Sequence, residues 1–364
     1  LCVSNPELIA EIARVKIAEL SANPDLDCVS ISPNDGGSTT FCTCERCEAW
    51  DHPDGPIIQI YWPDAPDRRR DHVSLSDRYF KFYSAIAEIV AREHPNRMLG
   101  AYAYSAYRTV PIAAPVHPNL LVGFVGLNYM NAEQGEADLQ MWRGWLEKAN
   151  HLFLRPNLLG GGMGWPVNFA RRLGQDMKQF IAGGLTVTDF DCCYQHWAQK
   201  GLTYYVLAEV LWNPQVDVDE LIRDYCQAGW GSAAAEIEQY FLALERKTDE
   251  IYHSSSYAGR KDTPEVIAAF YTDEFLNECQ GYLDAARQKA AGDQTVLARI
   301  DFLQPAVTYA RLNRDWRLAQ AAVRAGEEGA RERYQAAEAA KEKFFQELGI
   351  SWSINTPYLK FYGF

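Results

Sequence analysis

The sequence predicts an α/β protein: a (β/α)8 barrel of the TIM type, with its N-terminal strands missing from this chain, followed by an α-helical region. Three observations carry that expectation. From Leu1 to about Asp191, short apolar runs alternate with stretches of helical periodicity, the pattern of βα units that feed a parallel sheet. Residues able to bind or do chemistry follow the end of each apolar run, as they do at the carboxyl face of a barrel. Beyond Leu202 only helical spacing remains.

Taken in order, the predicted strands are 1–3, 28–32, 98–104, 120–127, 151–154 and 185–188. Val29 and Ile31 with alternating small residues build the apolar strand at 28–32. Asn5 reads as a helix cap with Pro6 in the first helical position, and Ser76 opens a second helix. Six strands do not close a barrel of eight. Two strands upstream of Leu1 would make 28–32 the fourth and 185–188 the eighth. The helical spacing then predicts helices at 203–212, 218–229, 233–252, 264–291, 294–325 and 327–348, interrupted by a loop at 254–264. The domains expected are a partial barrel with the catalytic residues at 1–216 and a helical region at 217–364.

The 364 residues are 48% hydrophobic, enough for a substantial core, and their formal net charge is −13. That balance argues against nucleic acid or an anionic membrane surface as a partner, because either needs a basic face. A neutral or cationic ligand suits it better. No apolar run is long enough to span a bilayer, so no membrane insertion is expected. The chain starts at Leu1 without a charged and apolar leader, which reads as a processed or truncated secreted or periplasmic protein. Its 10 Trp and 20 Tyr suit the flat faces of sugars, and equally cores and interfaces.

Cys42, Cys44 and Cys47 fall within six residues, and Cys2 in the preceding predicted strand projects towards the same rim. Four sulfurs in tetrahedral reach read as a structural zinc site, with His52 able to replace Cys2; a pair of disulfides suits an exported protein as well. A closed sulfur set leaves no open position for water, so catalytic zinc is not expected, and no cofactor is required for catalysis.

Glycoside cleavage needs a proton donor for the departing oxygen and a second acid across the anomeric carbon. Asp35, with Asn34 before it to position the substrate, and the pair Asp189 and Asp191 are the strand-end carboxylates that meet this need. Tyr104, Asn128, Tyr129, Arg155, Trp165, His196 and Trp197 are the candidate substrate-binding residues. For each there is a plainer reading: a turn at Asn34-Asp35-Gly36-Gly37, an ion pair with Arg155, a buried structural histidine. A metallohydrolase built on Asp189, Asp191 and His196 lacks the spacing that such sites use.

The runs LCVSNPE, SISPNDGG with FCTCERC behind it, and YYVLAEVLWNPQVDVDELIRDYC resemble a bacterial family catalogued as domain of unknown function 4838. Some of its members form glycoside hydrolase family 163, endo-acting β-N-acetylglucosaminidases. The likeness runs from Leu1 to about Gly231 and implies a retaining barrel enzyme whose substrate supplies its own acetamido group as nucleophile, assisted by protein carboxyls. Around the last strand many members carry a Phe-Glu-Gln-Gly-like stretch, where this chain has Thr188-Asp189-Phe190-Asp191-Cys192-Cys193. The function expected is therefore glycoside hydrolysis of a polysaccharide or glycan containing N-acetylhexosamine. The alternative is a glycan-binding or scaffold module without turnover.

Overall fold

The computed structural model describes residues 1–33, 41–62, 65–157, 164–191, 193–194, 196–254 and 263–362. The chain forms two compact units. The first comprises Leu1–Leu127, Glu136–Asn157 and Leu185–Phe190; the second comprises Asn128–Gly135, Leu158–Gly184 and Asp191–Phe364.

The first unit is built on a parallel sheet. Its strands are β1 (Cys28–Ser30), β4 (Met98–Ala103), β5 (Leu120–Phe124) and β6 (His151–Leu154), hydrogen-bonded in that order and all parallel. Val29 pairs with Leu99, Leu99 with Leu120 and Val122 with Leu152, so the apolar side chains stack in register across the sheet. Gly123 is needed where it stands, because a Cβ there would drive into the rings of Phe153 and Tyr102 on the neighbouring strands. Helix α1 (Pro6–Ala22) starts as expected, with the Asn5 side chain accepting from Glu7 N at 3.0 Å. It packs against α3 (Ser76–Glu93), whose buried face carries Phe80, Tyr83, Ile86 and Val90. The carboxylate of Asp77 in α3 accepts the backbone N–H groups of Ile112, Ala113 and Ala114 at 2.9, 2.8 and 2.6 Å, which pins the connection between β4 and β5.

Three sequence expectations change here. Residues 1–3 are not a strand; Asn5 N donates to Cys2 O at 3.0 Å, and the chain turns to cap α1. The run 185–188 contributes a single parallel bridge, Leu154 to Thr188, where the Thr188 hydroxyl also donates to Leu154 O at 2.9 Å. An antiparallel hairpin, β2 (Ile57–Trp62) and β3 (Ala65–Val73), forms where no strands were expected. The charged run in β3 hid it. The described residues thus form an open, parallel sheet of four strands plus one bridge, with the antiparallel hairpin as a separate sheet, and do not close a barrel.

The second unit is helical. It contains α5 (Ala170–Ala182), α6 (Trp197–Trp212), α7 (Val218–Trp230), α8 (Ala234–Tyr252), α9 (Thr263–Phe270), α10 (Asp273–Lys289), α11 (Gln294–Ala325), α12 (Ala330–Leu348) and α13 (Thr356–Tyr362). Helix α4 (Ala132–Lys148) begins in this unit's Asn128–Gly135 segment. Asp217, Thr272 and Asp293 cap α7, α10 and α11 through side-chain oxygens, and Gly326 ends α11 in the left-handed region at φ 73°. The single helix expected over 264–291 is two, because Thr272 caps a new start after Phe270. Tyr309, Phe345, Ile354 and Leu359 form a buried cluster that holds α13 to α11 and α12. No helix among the described residues is long and apolar enough to cross a membrane.

Candidate functional site

The four cysteines singled out in the sequence come together in the first unit. Cys2 sits in the turn before α1, and Cys44 is the cap of the short helix α2 (Glu45–Glu48), whose first turn brings Cys47 N to Cys44 O at 2.9 Å. One turn therefore carries two thiols on the same side. The sulfurs of Cys2, Cys42, Cys44 and Cys47 all lie within 4.8 Å of one another, with Cys2 at 3.6 Å from both Cys44 and Cys47. Tetrahedral Zn–S bonds of about 2.3 Å demand S···S edges of about 3.8 Å. The cluster has the dimensions of a four-thiolate cage, and it can hold a metal ion.

The electrostatics favour anionic sulfur at one corner. A backbone N–H from Cys47, then the thiol of Cys42, bring Cys44 down to about 6. Burial pushes Cys42 up to about 12, and the Ser4 hydroxyl lowers Cys2. His52 is not in the cluster; its Nδ1 accepts from Asp54 N at 3.2 Å within its own turn. The cysteine segment is fixed from beneath by Arg78 of α3, which is 1% exposed. Its Nη1 donates to Cys42 O at 2.7 Å, its Nε donates to Asp51 Oδ1 at 2.8 Å, and Nη2 meets the other Asp51 oxygen.

The second feature of the first unit is the carboxyl edge of the sheet. The Ser32 hydroxyl accepts from Tyr102 N at 3.0 Å and ties the chain after β1 to β4. Tyr104 is half-buried at the end of β4, ahead of a 3-10 turn over Ser105–Tyr107. Arg155 leaves β6 with its guanidinium 5.1 Å from the Tyr102 ring centroid and donates to Asn157 Oδ1 at 3.0 Å. Its Nε lies 3.8 Å from Asp189 Oδ2, and the Asp189 side chain is 60% exposed. Arg155 and Asp189 therefore meet at this edge, the ion pair that the plainer reading of the strand-end carboxylates expects. Asn34 and Asp35 lie outside the described residues.

In the second unit most of the predicted sugar-contacting residues turn out to be structural, which corrects the expectation that they line an open pocket. Asn128 Oδ1 accepts from Met130 N and Asn131 N at 2.8 and 3.0 Å, a turn that leads into α4. Tyr129 is buried, with its hydroxyl on Asp176 and its ring against Phe169. Trp165 is 1% exposed and stacked on Tyr271 at 4.6 Å. Asp191 is half-exposed. Among the named aromatics of this unit, Trp197, at 41% exposure, reaches solvent. The sequence signal was misleading because these rings sit in Asn- and Gly-rich text that reads as loop, whereas rings of that size in a compact unit are drawn into the core.

His196 is buried, and its Nδ1 accepts from Asn355 N at 3.2 Å. Burial, and then the charge of Lys200, bring the imidazole down to about 4 from its ordinary 6.5. Protonation would also set two donors against each other at Nδ1. In the window between pH 6.5 and 4 the unfolded chain binds the proton that the folded one refuses, so this contribution to stability is present above pH 6.5 and lost as pH falls. Urea unfolding should show a loss of up to about 3 kcal/mol across that window from this residue. The difference between the parent and His196→Asn should carry that slope; parallel pH profiles would show that the imidazole does not titrate in this way.

A family described as Domain of unknown function (DUF4838) matches residues 1–242. No curated protein matches the chain.

Proposed function

The chain belongs to this DUF4838 family, and on that premise we propose that it is a glycoside hydrolase acting on a glycan that contains N-acetylhexosamine, related to glycoside hydrolase family 163. The observation that carries this reading is Asp189: a carboxylate largely in solvent at the carboxyl edge of a parallel sheet, steadied by the Arg155 guanidinium at 3.8 Å. A charged pair at such an edge adds nothing to the core, and this is where strand-borne active sites gather. Asn34 and Asp35, which come after β1 in the sequence and lie outside the described residues, are assigned on this reading to the same site as Asp189. On this reading the sheet is part of a (β/α)8 barrel and the protein works outside the cytoplasm.

The proposed chemistry is acid/base catalysis with substrate assistance. Asp35 gives its proton to the glycosidic oxygen as the bond to the anomeric carbon breaks, and the acetamido oxygen of the substrate attacks that carbon. Asp189 or Asp191 orients the acetamido group and balances the positive charge that develops. Asp35, now a carboxylate, takes a proton from the water that opens the cyclic intermediate. Tyr104 and Arg155 border the site, and no cofactor enters the reaction.

The test is turnover of aryl glycosides of N-acetylglucosamine and chitobiose. Asp35→Asn should lower kcat by about 10²- to 10⁴-fold, the usual worth of a positioned general acid. Asp189→Asn should lower kcat/KM with a smaller loss. Unchanged turnover in Asp35→Asn removes that residue from the mechanism. Glycan binding by a parent protein that turns nothing over favours the second reading, a glycan-binding module, which the exposed aromatics support. The four-cysteine cluster is proposed as a structural zinc site that fastens residues 41–51 to the start of α1.

A further inference from the structure

Among the described residues, Ser105 at φ 50° and Leu127 at φ 75° are the non-glycine residues in the left-handed region of backbone space. Each stands just past the carboxyl end of a strand, Ser105 after β4 and Leu127 after β5, and those two strands are neighbours in the sheet. The strain thus lies on the edge where Arg155 meets Asp189. Leu127 has a structural reason for its conformation. Its side chain is buried, and its N–H goes to the carboxylate of Asp138, which Arg108 also holds at 2.7 Å.

Ser105 has no such reason. It holds the second position of a turn closed by Tyr107 N, which donates to Tyr104 O at 3.0 Å, and a positive φ at that position is the province of glycine. A Cβ makes the conformation costly. Serine can offset such a cost by bonding its hydroxyl to nearby backbone, but Ser105 is exposed and no group among the described residues takes its hydroxyl. Both flanks are fixed. Ala103 O accepts from Val125 N at 3.1 Å on the strand side; beyond the turn, Ala106 O accepts from Leu75 N at 2.8 Å and the buried Tyr107 stacks on Tyr79 at 4.2 Å. The fold therefore over-determines the turn and fixes the direction of the Ser105 Cα–Cβ bond. Glycine would make the same turn without strain, so all that serine adds is a hydroxyl held out to solvent beside Tyr104. Strain kept at an exposed position of a strand-end edge marks a contact with a ligand.

We propose that Ser105 is a substrate-contacting residue of the carboxyl edge, its hydroxyl hydrogen-bonded to a hydroxyl of the glycan, with the left-handed turn as the means of aiming it. The choice of a glycan rests on the hydrolase reading above. A serine hydroxyl both donates and accepts and carries no charge, which suits a sugar hydroxyl. Ser105 takes no part in moving the proton; it holds the sugar in register with the groups that do.

The experiment is steady-state kinetics of the full chain on the aryl glycoside of chitobiose, for the parent, Ser105→Ala and Ser105→Gly, with thermal melting of each. Ser105→Ala keeps the strain and loses the hydroxyl; Ser105→Gly loses both. Ser105→Gly should therefore melt higher than Ser105→Ala. Their kinetics should nevertheless agree: both should raise KM about three- to tenfold and leave kcat nearly unchanged, as when one neutral hydrogen bond made equally in ground and transition states is lost. If serine served the turn alone, Ser105→Gly would keep the parent's kinetics, and that result overturns the proposal. So does an unchanged KM in Ser105→Ala. A parent that turns over no aryl glycoside removes the hydrolase reading by itself, and calorimetric titration with chitotriose then decides about Ser105. Binding weakened about threefold or more in both variants sustains the contact; equal binding, or none by the parent, overturns it.

Discussion

Protein purified without a chelator should carry one metal ion per chain, and Cys44→Ser should lose it and melt on the order of 10 °C lower. Cys44 is the informative position. It is only partly buried, and serine is a better helix cap than cysteine, so the substitution should cost nothing in packing and help α2 begin. Whatever stability is lost must come from the sulfur. Among the described residues, the other contacts of the segment 41–51 include Phe41 edge-on to Tyr79 at 6.0 Å, the buried Cys47 with its sulfur 3.2 Å from the Ser4 hydroxyl, and the Arg78 contacts. A metal that ties α2 to Cys2 therefore links residues more than forty positions apart in the chain, and its binding energy is folding energy. Elemental analysis and melting with and without a chelator measure this directly. A metal-free chain whose melting temperature falls with dithiothreitol and ignores the chelator would put disulfides there instead.

Particular residues show what the sequence made legible. The spacing Cys42, Cys44, Cys47 announces a chelating loop because the geometry is local, set by one helical turn. Cys2 was joined to it correctly for a wrong reason: it lies in a turn and not in a strand. The carboxyl-edge position of Arg155 and Asp189 was readable because β6 and the bridge at Thr188 are short apolar runs with an obvious end. Strand β3 was not, since Arg68, Arg69, Arg70 and Asp71 give no alternating apolar signal and its pairing with β2 is a tertiary fact. Tyr129, Trp165 and His196 were misjudged because exposure depends on what packs over a residue, and their partners Asp176, Tyr271 and Asn355 come from distant text.

Arg78→Met is expected to destabilise the protein by about 3–5 kcal/mol in urea unfolding, the usual result of removing one partner from a buried ion pair. The pair is well sealed, with Arg78 and Asp51 side chains 1% and 7% exposed. Burial already raises the Asp51 carboxyl above its ordinary value, against the pull of Arg78. Without the guanidinium that upward pressure is unopposed, so folded Asp51 holds a proton that the unfolded chain gives up. Its penalty is then full at neutral pH and fades as pH falls into the carboxylate range, which gives the variant a steeper pH dependence than that of the parent. The double variant Asp51→Leu/Arg78→Met should recover most of the loss, because two apolar side chains need no partner. It should not recover the metal: Cys42 O would still lack its donor, and affinity should stay about 10- to 100-fold below that of the parent, as when a supporting contact of a ligand loop is lost. Recovery of stability without recovery of metal binding separates the two tasks of Arg78, neutralising Asp51 and aiming the cysteine segment. A double variant that regains both would leave Arg78 with the first task alone.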